Sequence, residues 1–147
     1  MAAWAVHLRG QSSPPNKNGQ QLTIPFDFAA DRGSLLVRAR INGQSAVLIV
    51  DTGSSHTILR PSAAGVNPAE LAAPRTGAGI IGDAVGREVK LEVAQRVWPR
   101  RRVSVMDLSA ALSAYREKID GLLGLDFLLE FSQADINIRA RSITLVP

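Results

Sequence analysis

The sequence lacks cysteine, has few histidines and contains no long hydrophobic run, and each absence excludes a class of protein. Without cysteine, disulfide bonds and thiolate chemistry are excluded. The two histidines, His7 and His56, are too few for a histidine-rich metal site, and neither a metal nor another cofactor is expected. No apolar stretch approaches the roughly 20 residues of a membrane-spanning helix. As given, the chain is therefore expected to be soluble, without a membrane segment.

The length and composition predict one globular domain. The chain has 147 residues, 46% of them hydrophobic, which is enough for one domain with its own core. Residues 1–6 are too short for a signal-peptide core and are followed by His7 and Arg9. The compartment therefore stays open. It is periplasmic or secreted if a leader was trimmed from a longer precursor, and otherwise cytoplasmic.

The first part of the chain predicts an arm that precedes the folded domain. Residues 10–21 contain no aliphatic or aromatic side chain and are dense in turn formers. Such a composition is typical of a linker. Residues 1–21 are therefore expected to be a flexible N-terminal arm or linker, and residues 22–147 the domain.

Two strand signals open the domain. Residues 22–26 alternate apolar and polar side chains, which predicts a strand, and Pro25 places it at a sheet edge because proline cannot donate to a ladder. Residues 35–41 form a second alternating segment, and the Asn-Gly pair at residues 42–43 is a strong signal for a hairpin turn. The return strand of this hairpin leads directly to Asp51.

The chemistry is expected at Asp51, where an apolar run ends in a turn of small residues. Four apolar residues, 47–50, next to a turn predict a strand that is buried on both faces. A carboxylate at the end of such a strand is costly unless hydrogen bonds satisfy it. Gly53 lets the backbone turn tightly, and the hydroxyl groups of residues 52, 54 and 55 can donate or accept hydrogen bonds. The sequence therefore places an acid at the tip of a buried strand-loop-strand.

The pattern Asp-Thr-Gly-Ser-Ser at residues 51–55 resembles the active-site loop of aspartic proteases. Residues 120–129 resemble a later segment of that family, in which two apolar residues and a glycine pass beneath the acid loop and lead into a short helix. The resemblance extends over residues 22–146. Pepsin-like enzymes carry two acid loops, whereas this chain has no second Asp-Thr-Gly or Asp-Ser-Gly. The chain is therefore similar to the single-lobe, retropepsin-like branch, as in retroviral proteases and their bacterial relatives.

The resemblance implies a fold and an activity. The implied fold is mostly β, a closed-barrel-like pepsin/retropepsin fold with a flap hairpin and one or two short helices. The implied activity is that of an aspartic endopeptidase, which hydrolyses a peptide or protein substrate with a water activated by the paired Asp51 carboxylates of a homodimer. Thr52 would bond to the partner's loop, Gly53 would present its N–H to the carboxylate, and Ser54 would bond the outer carboxylate oxygen. A catalytically inactive peptide-binding or dimerisation module with the same fold is the alternative.

A glycine-rich segment, residues 76–86, lies between the two segments that resemble the aspartic protease family. Its glycines fit Gly-x-Gly-x-x-Gly, the dinucleotide-binding pattern, but a strand is expected after it instead of a helix, and the required acid about 20 residues further on is missing. The resemblance implies that the segment is the flap that covers the substrate, and a mobile surface hairpin without substrate contact stays open as the alternative. The residues implied in substrate binding are Gly77, Ala78, Gly79, Ile80 and Ile81.

The remaining segments predict local structure. Residues 96–102 are rich in arginine and form either a solvated turn between strands or a nucleic-acid patch; the modest net charge of +4 favours the turn, so no nucleic-acid partner is expected. Residues 109–118 and 126–131 predict short helices. Residues 136–145 predict a terminal hairpin. Its strands either interleave with those of a second chain or pair with each other within one chain.

Overall fold

The computed structural model of the protein describes residues 6–9, 19–30, 33–71 and 84–147. Within these residues the chain forms ten strands and four one-turn helices, and none of these helices has the length and hydrophobicity needed to span a bilayer. The strands are β1 (Val6–Arg9), β2 (Leu22–Phe28), β3 (Leu35–Ile41), β4 (Gln44–Val50), β5 (Ile58–Leu59), β6 (Val85–Val93), β7 (Arg96–Val105), β8 (Gly121–Leu123), β9 (Gln133–Asn137) and β10 (Ser142–Val146). The helices are α1 (Pro61–Ala64), α2 (Pro68–Leu71), α3 (Ser109–Leu112) and α4 (Leu125–Leu128).

Six of the strands close into a barrel. They follow the order β3, β4, β8, β5, β7 and β6, and β6 pairs with β3 to complete the ring. The pairs β4–β8 and β5–β7 are parallel, and the other four pairs are antiparallel. The predicted mostly β, closed-barrel-like fold is thereby confirmed. The described residues form four short helices, whereas the resemblance implied one or two.

The other four strands extend the sheet beyond the barrel, in the order β1, β9, β10 and β2. The terminal hairpin is formed by β9 and β10, which pair with each other within the chain. Its outer sides are occupied by β2 and by β1, which comes from the predicted arm. The hairpin therefore pairs within the single chain, and interleaving with a second chain stays a prediction.

Pro25 lies inside the sheet, so the prediction of an edge strand was wrong. Residues 22–25 of β2 pair with β10, and residues 26–28 pair with β3. The N–H of Phe26 donates to the carbonyl of Arg141 on the β10 side, at 2.9 Å. Because successive amides of a strand point to opposite edges, the missing N–H of Pro25 faces the β3 side, where pairing begins only at Phe26. Proline is tolerated at this position because it removes no ladder bond.

Strand β4 buries successive side chains on opposite faces, as predicted. Leu48 belongs to the main hydrophobic core, together with Leu123 and Phe127. Ile49 belongs to a second, smaller cluster that includes Leu108. Because both faces are covered, the strand is held firmly up to the residue that precedes Asp51.

The predicted hairpin turn joins β3 to β4. Asn42 and Gly43 both have positive φ angles, 50° and 83°, which is the requirement of the tight hairpin turn that Asn-Gly favours. Asn42 also binds β6: its N–H donates to the carbonyl of Lys90, and its Oδ1 accepts from the N–H of Lys90, each at 2.9 Å. These bonds lie at the β3–β6 seam that closes the barrel.

The arginine-rich residues 96–102 belong to β7, so the prediction of a turn there was wrong. The turn lies just before them, at Ala94 and Gln95, whose φ angles are 45° and 70°. Alanine and glutamine are not typical turn residues, and the sequence therefore carried no signal at this position. The two predicted short helices exist as the single turns α3 and α4.

Candidate active site

Asp51 is the first residue after β4. Its N–H donates to the carbonyl of Leu123 on the parallel strand β8, at 3.0 Å, which extends the β4–β8 ladder to the acid itself. Its Oδ1 accepts the N–H of Gly53 at 2.8 Å, and the side chain is partly exposed. A Cβ on Gly53 would lie 3.1 Å from that same oxygen, which is tighter than most real contacts. Glycine therefore allows the backbone to approach the carboxylate closely enough to donate to it.

The rest of the acid loop is closed by its own hydrogen bonds. The N–H of Ser54 donates to the carbonyl of Asp51 at 3.2 Å. The Ser54 hydroxyl donates to the carbonyl of His56 at 2.7 Å, and not to the Asp51 carboxylate as the resemblance implied. Thr52 is exposed. In a single chain, the hydroxyl of Ser54 thus stabilises the loop, and Thr52 faces solvent.

The second family-like segment supports the acid loop from below. At the start of α4, the N–H of Leu125 donates to the carbonyl of Ser54 at 2.8 Å, and the N–H of Asp126 donates to the carbonyl of Ser55 at 3.3 Å. Gly124 passes so close that an added Cβ would lie 2.4 Å from the carbonyl oxygen of His56. The position of the acid loop therefore depends on the absence of a side chain at residue 124.

A partly buried ion-pair network lies behind this support, and it was not predicted from the sequence. The Arg101 guanidinium donates to Oδ2 of Asp126 at 3.0 Å and also pairs with Glu130. Thr57 donates to Oδ1 of Asp126 at 2.8 Å, and the Trp98 indole donates to Glu130 at 3.0 Å. The available signal was the alternation of Arg101 with Val103 and Val105, which places all three on the inward face of β7.

Replacing Arg101 with methionine is expected to destabilise the fold by about 3–5 kcal/mol, because two partly buried carboxylates lose their cation. The side chain of Arg101 is only 10% exposed. Arg100→Met is the matched control: that side chain is 78% exposed, and its pair with Glu88 is expected to contribute less than about 1 kcal/mol. Urea unfolding of both variants measures the difference. Equal midpoints would contradict a supporting role for Arg101.

A cleft of about 1040 Å³ opens beside the acid loop. It lies between that loop, strand β7 and helix α4, and its wall includes Ser54 and Ser55 of the loop. Asp51 is the first residue of that loop but is not part of the cleft wall. In the described part of the chain, no three potential metal ligands come together. The predicted substrate-binding residues, 77–81, lie outside the described residues.

The barrel and its acid loop are those of a single-lobe aspartic protease, and comparison with known proteins agrees. A family model described as aspartyl protease matches residues 37–127, more than half of the chain, and the chain belongs to this family. The matched region contains the acid loop, strand β8 and helix α4 up to its penultimate residue. Among curated proteins, no sequence match was found.

A solved structure has the same architecture. It is a retropepsin-like aspartic protease from Rickettsia conorii, with a TM-score of 0.55 and 17% sequence identity over 99% of this chain and 96% of that chain. At this level of identity the likeness shows the fold. The fold of the present chain is therefore retropepsin-like.

Proposed function

We propose that the protein is an aspartic endopeptidase that hydrolyses peptide bonds as a homodimer, with one Asp51 from each chain in a shared site. The position of Asp51 carries this proposal: its carboxylate is partly exposed, is held by the N–H of Gly53, and stands above the β8–α4 support. Membership of the aspartyl protease family supports it. Because the chain has a single Asp-Thr-Gly motif, the second carboxylate must come from a second chain.

The proposed chemistry needs only these two carboxylates and a water molecule. Two carboxylates about 3 Å apart cannot both ionise easily, so the pair holds one proton over a range of pH. The ionised carboxylate takes a proton from the water, whose oxygen attacks the carbonyl carbon of the scissile bond. The protonated carboxyl group donates to the carbonyl oxygen as negative charge develops there. Proton transfer to the amide nitrogen then allows the C–N bond to break and restores the pair.

The neighbours of Asp51 have supporting roles in this proposal. Gly53 orients the carboxylate through its N–H. The exposed hydroxyl of Thr52 bonds to the loop of the second chain and holds the two acids in a fixed relation. Ser54 keeps the loop closed through the carbonyl of His56. Residues 77–81 cover an extended peptide, whose backbone groups bind in the manner of an added strand.

Mixing active and inactive chains tests the shared site. The substrate is a diverse peptide mixture, incubated from about pH 3 to pH 8 to span carboxylate titration and read by mass spectrometry. At a fixed amount of the unsubstituted protein, a nine-fold excess of Asp51→Asn chains is expected to lower cleavage about ten-fold, because about nine in ten partners then lack the second acid. The same excess of Asp27→Asn chains is the control. Asp27 is an exposed acid on β2, and because these chains keep Asp51, adding them is expected to raise cleavage.

Two outcomes would contradict the proposal. Cleavage that is unchanged by the excess of Asp51→Asn chains would show that each chain works alone. No cleavage at any pH, with a folded dimer confirmed by light scattering, would favour a peptide-binding or dimerisation module with the same fold.

A further inference from the structure

The cleft beside the acid loop contains charges that its own wall does not neutralise. Its lining includes three consecutive arginines, residues 100–102, and two carboxylates, Asp126 and Glu130. Both carboxylates bind Arg101, whose side chain is only 10% exposed. The single positive charge of Arg101 offsets one of these two negative charges, and the cations left to face the cleft are Arg100 and Arg102.

Of these two cations, Arg102 has no carboxylate partner among the described residues. It stands directly opposite Glu88 in the β6–β7 ladder, but Glu88 binds the neighbouring Arg100 at 3.0 Å. Among the described residues, no carboxylate forms an ion pair with Arg102. Its guanidinium lies beside Gly86, where an added Cβ would be 3.8 Å from Nη2. Because Gly86 has no side chain, it leaves the guanidinium uncovered at this wall.

We propose that this cleft is a specificity subsite that binds an acidic side chain of an extended peptide, with Arg102 as the pairing cation. The inference rests on the proposed function, since a peptide held at Asp51 reaches the cleft along Ser54 and Ser55, which line it. A guanidinium forms charge-assisted and often bidentate hydrogen bonds with a carboxylate. A substrate with Asp or Glu at the position that enters the cleft is therefore preferred over one with a neutral or basic residue.

A phosphate backbone would also pair with arginine, but the surroundings of Arg102 favour a single carboxylate. Asp126 and Glu130 form part of the same wall, and Glu88 lies on the neighbouring strand. These acids would repel the repeated negative charges of a nucleic acid. A peptide with one acidic side chain and neutral neighbours brings a single negative charge to Arg102 and is repelled less than a nucleic acid.

Peptide binding to the Asp51→Asn protein tests this subsite without requiring cleavage. The probes are fluorescein-labelled apolar octapeptides with Glu, Gln or Lys at one position, moved along the peptide. At the position that enters the cleft, the Glu peptide is expected to bind about five-fold more tightly than the Gln peptide, and the Lys peptide more weakly than both. Adding Arg102→Gln is expected to abolish the preference, and adding Arg102→Glu to reverse it towards Lys. Arg38→Glu, the same charge change as Arg102→Glu but at an exposed side chain of β3, is expected to leave the preference intact.

The outcomes separate this inference from the proposed function. A preference for Glu that depends on Arg102, with no cleavage by the unsubstituted protein, would support the subsite and contradict the protease. Cleavage with no preference for Glu at any position, or a preference that survives Arg102→Gln in a protein with unchanged circular dichroism, would overturn the subsite alone. A single-stranded oligonucleotide that binds more tightly than any Glu peptide, through Arg102, would also overturn it.

Discussion

Replacing Asp51 with asparagine is expected to lower the rate of peptide cleavage by about 100- to 10,000-fold, which is the range for loss of general acid–base catalysis. An amide has nearly the same shape as the carboxylate but cannot take a proton from water. Its oxygen can still accept the N–H of Gly53, so the loop is expected to keep its geometry. Initial rates on one peptide found in the mixture, together with the thermal unfolding midpoint, measure the two effects separately.

Asp27→Asn is the matched control for this substitution. Asp27 is an exposed acid on β2 with a long ion pair to Arg38, 3.7 Å, and its loss is expected to change neither rate nor stability. Undiminished cleavage by the Asp51→Asn protein would show that this acid does not carry the chemistry. Loss of cleavage together with loss of the folded state would instead assign Asp51 a structural role.

Replacing Gly124 with alanine is expected to destabilise the protein by more than about 4 kcal/mol, which is exceptional for a single methyl group. The new Cβ would lie 2.4 Å from the carbonyl oxygen of His56 and 2.9 Å from the N of Thr57. Both are backbone atoms, so neither can rotate away as the end of a side chain would. Relief of the clash requires the acid loop and the β8–α4 segment to separate, which breaks their hydrogen bonds.

Gly86→Ala provides the comparison, because among the described residues its new Cβ would meet only the Arg102 side chain, at 3.8 Å. This variant is expected to remain within about 1 kcal/mol of the unsubstituted protein. Urea unfolding followed by circular dichroism measures both. A Gly124→Ala protein as stable as the Gly86→Ala protein would show that the loop and its support are not held as closely as the structure indicates.

Much of the candidate site could be predicted because its signals are local. The Asp-Thr-Gly turn, the apolar run before it and the Asn-Gly hairpin each depend on residues within a few positions of one another. The structure places all of them as expected: a hairpin delivers β4, and β4 is buried on both faces up to the acid. Local preference and tertiary packing agree along this part of the chain.

The errors came from residues whose environment is set by distant segments. Considered alone, Pro25 indicates an edge strand. In the structure, however, β2 changes partner from β10 to β3 at that residue, so the missing N–H removes no hydrogen bond of the ladder. Arg101 sits in a run of arginines that reads as solvated, yet it is buried against Asp126 and Glu130. Alternation with Val103 and Val105 indicates that Arg101 faces inward, but the distant partners of Pro25 and Arg101 cannot be inferred from their neighbours in sequence.

By itself, the sequence determined where the acid lies, the turn that carries it and the strand that delivers it, since these follow from backbone preferences and hydrophobic alternation. Only the tertiary structure decided what surrounds that acid. The pairing of β4 with β8, the close passage of Gly124 and the cleft beside Arg102 join segments that are not neighbours in the chain. Such contacts form because the barrel closes, and closure depends on the packing of all six strands at once.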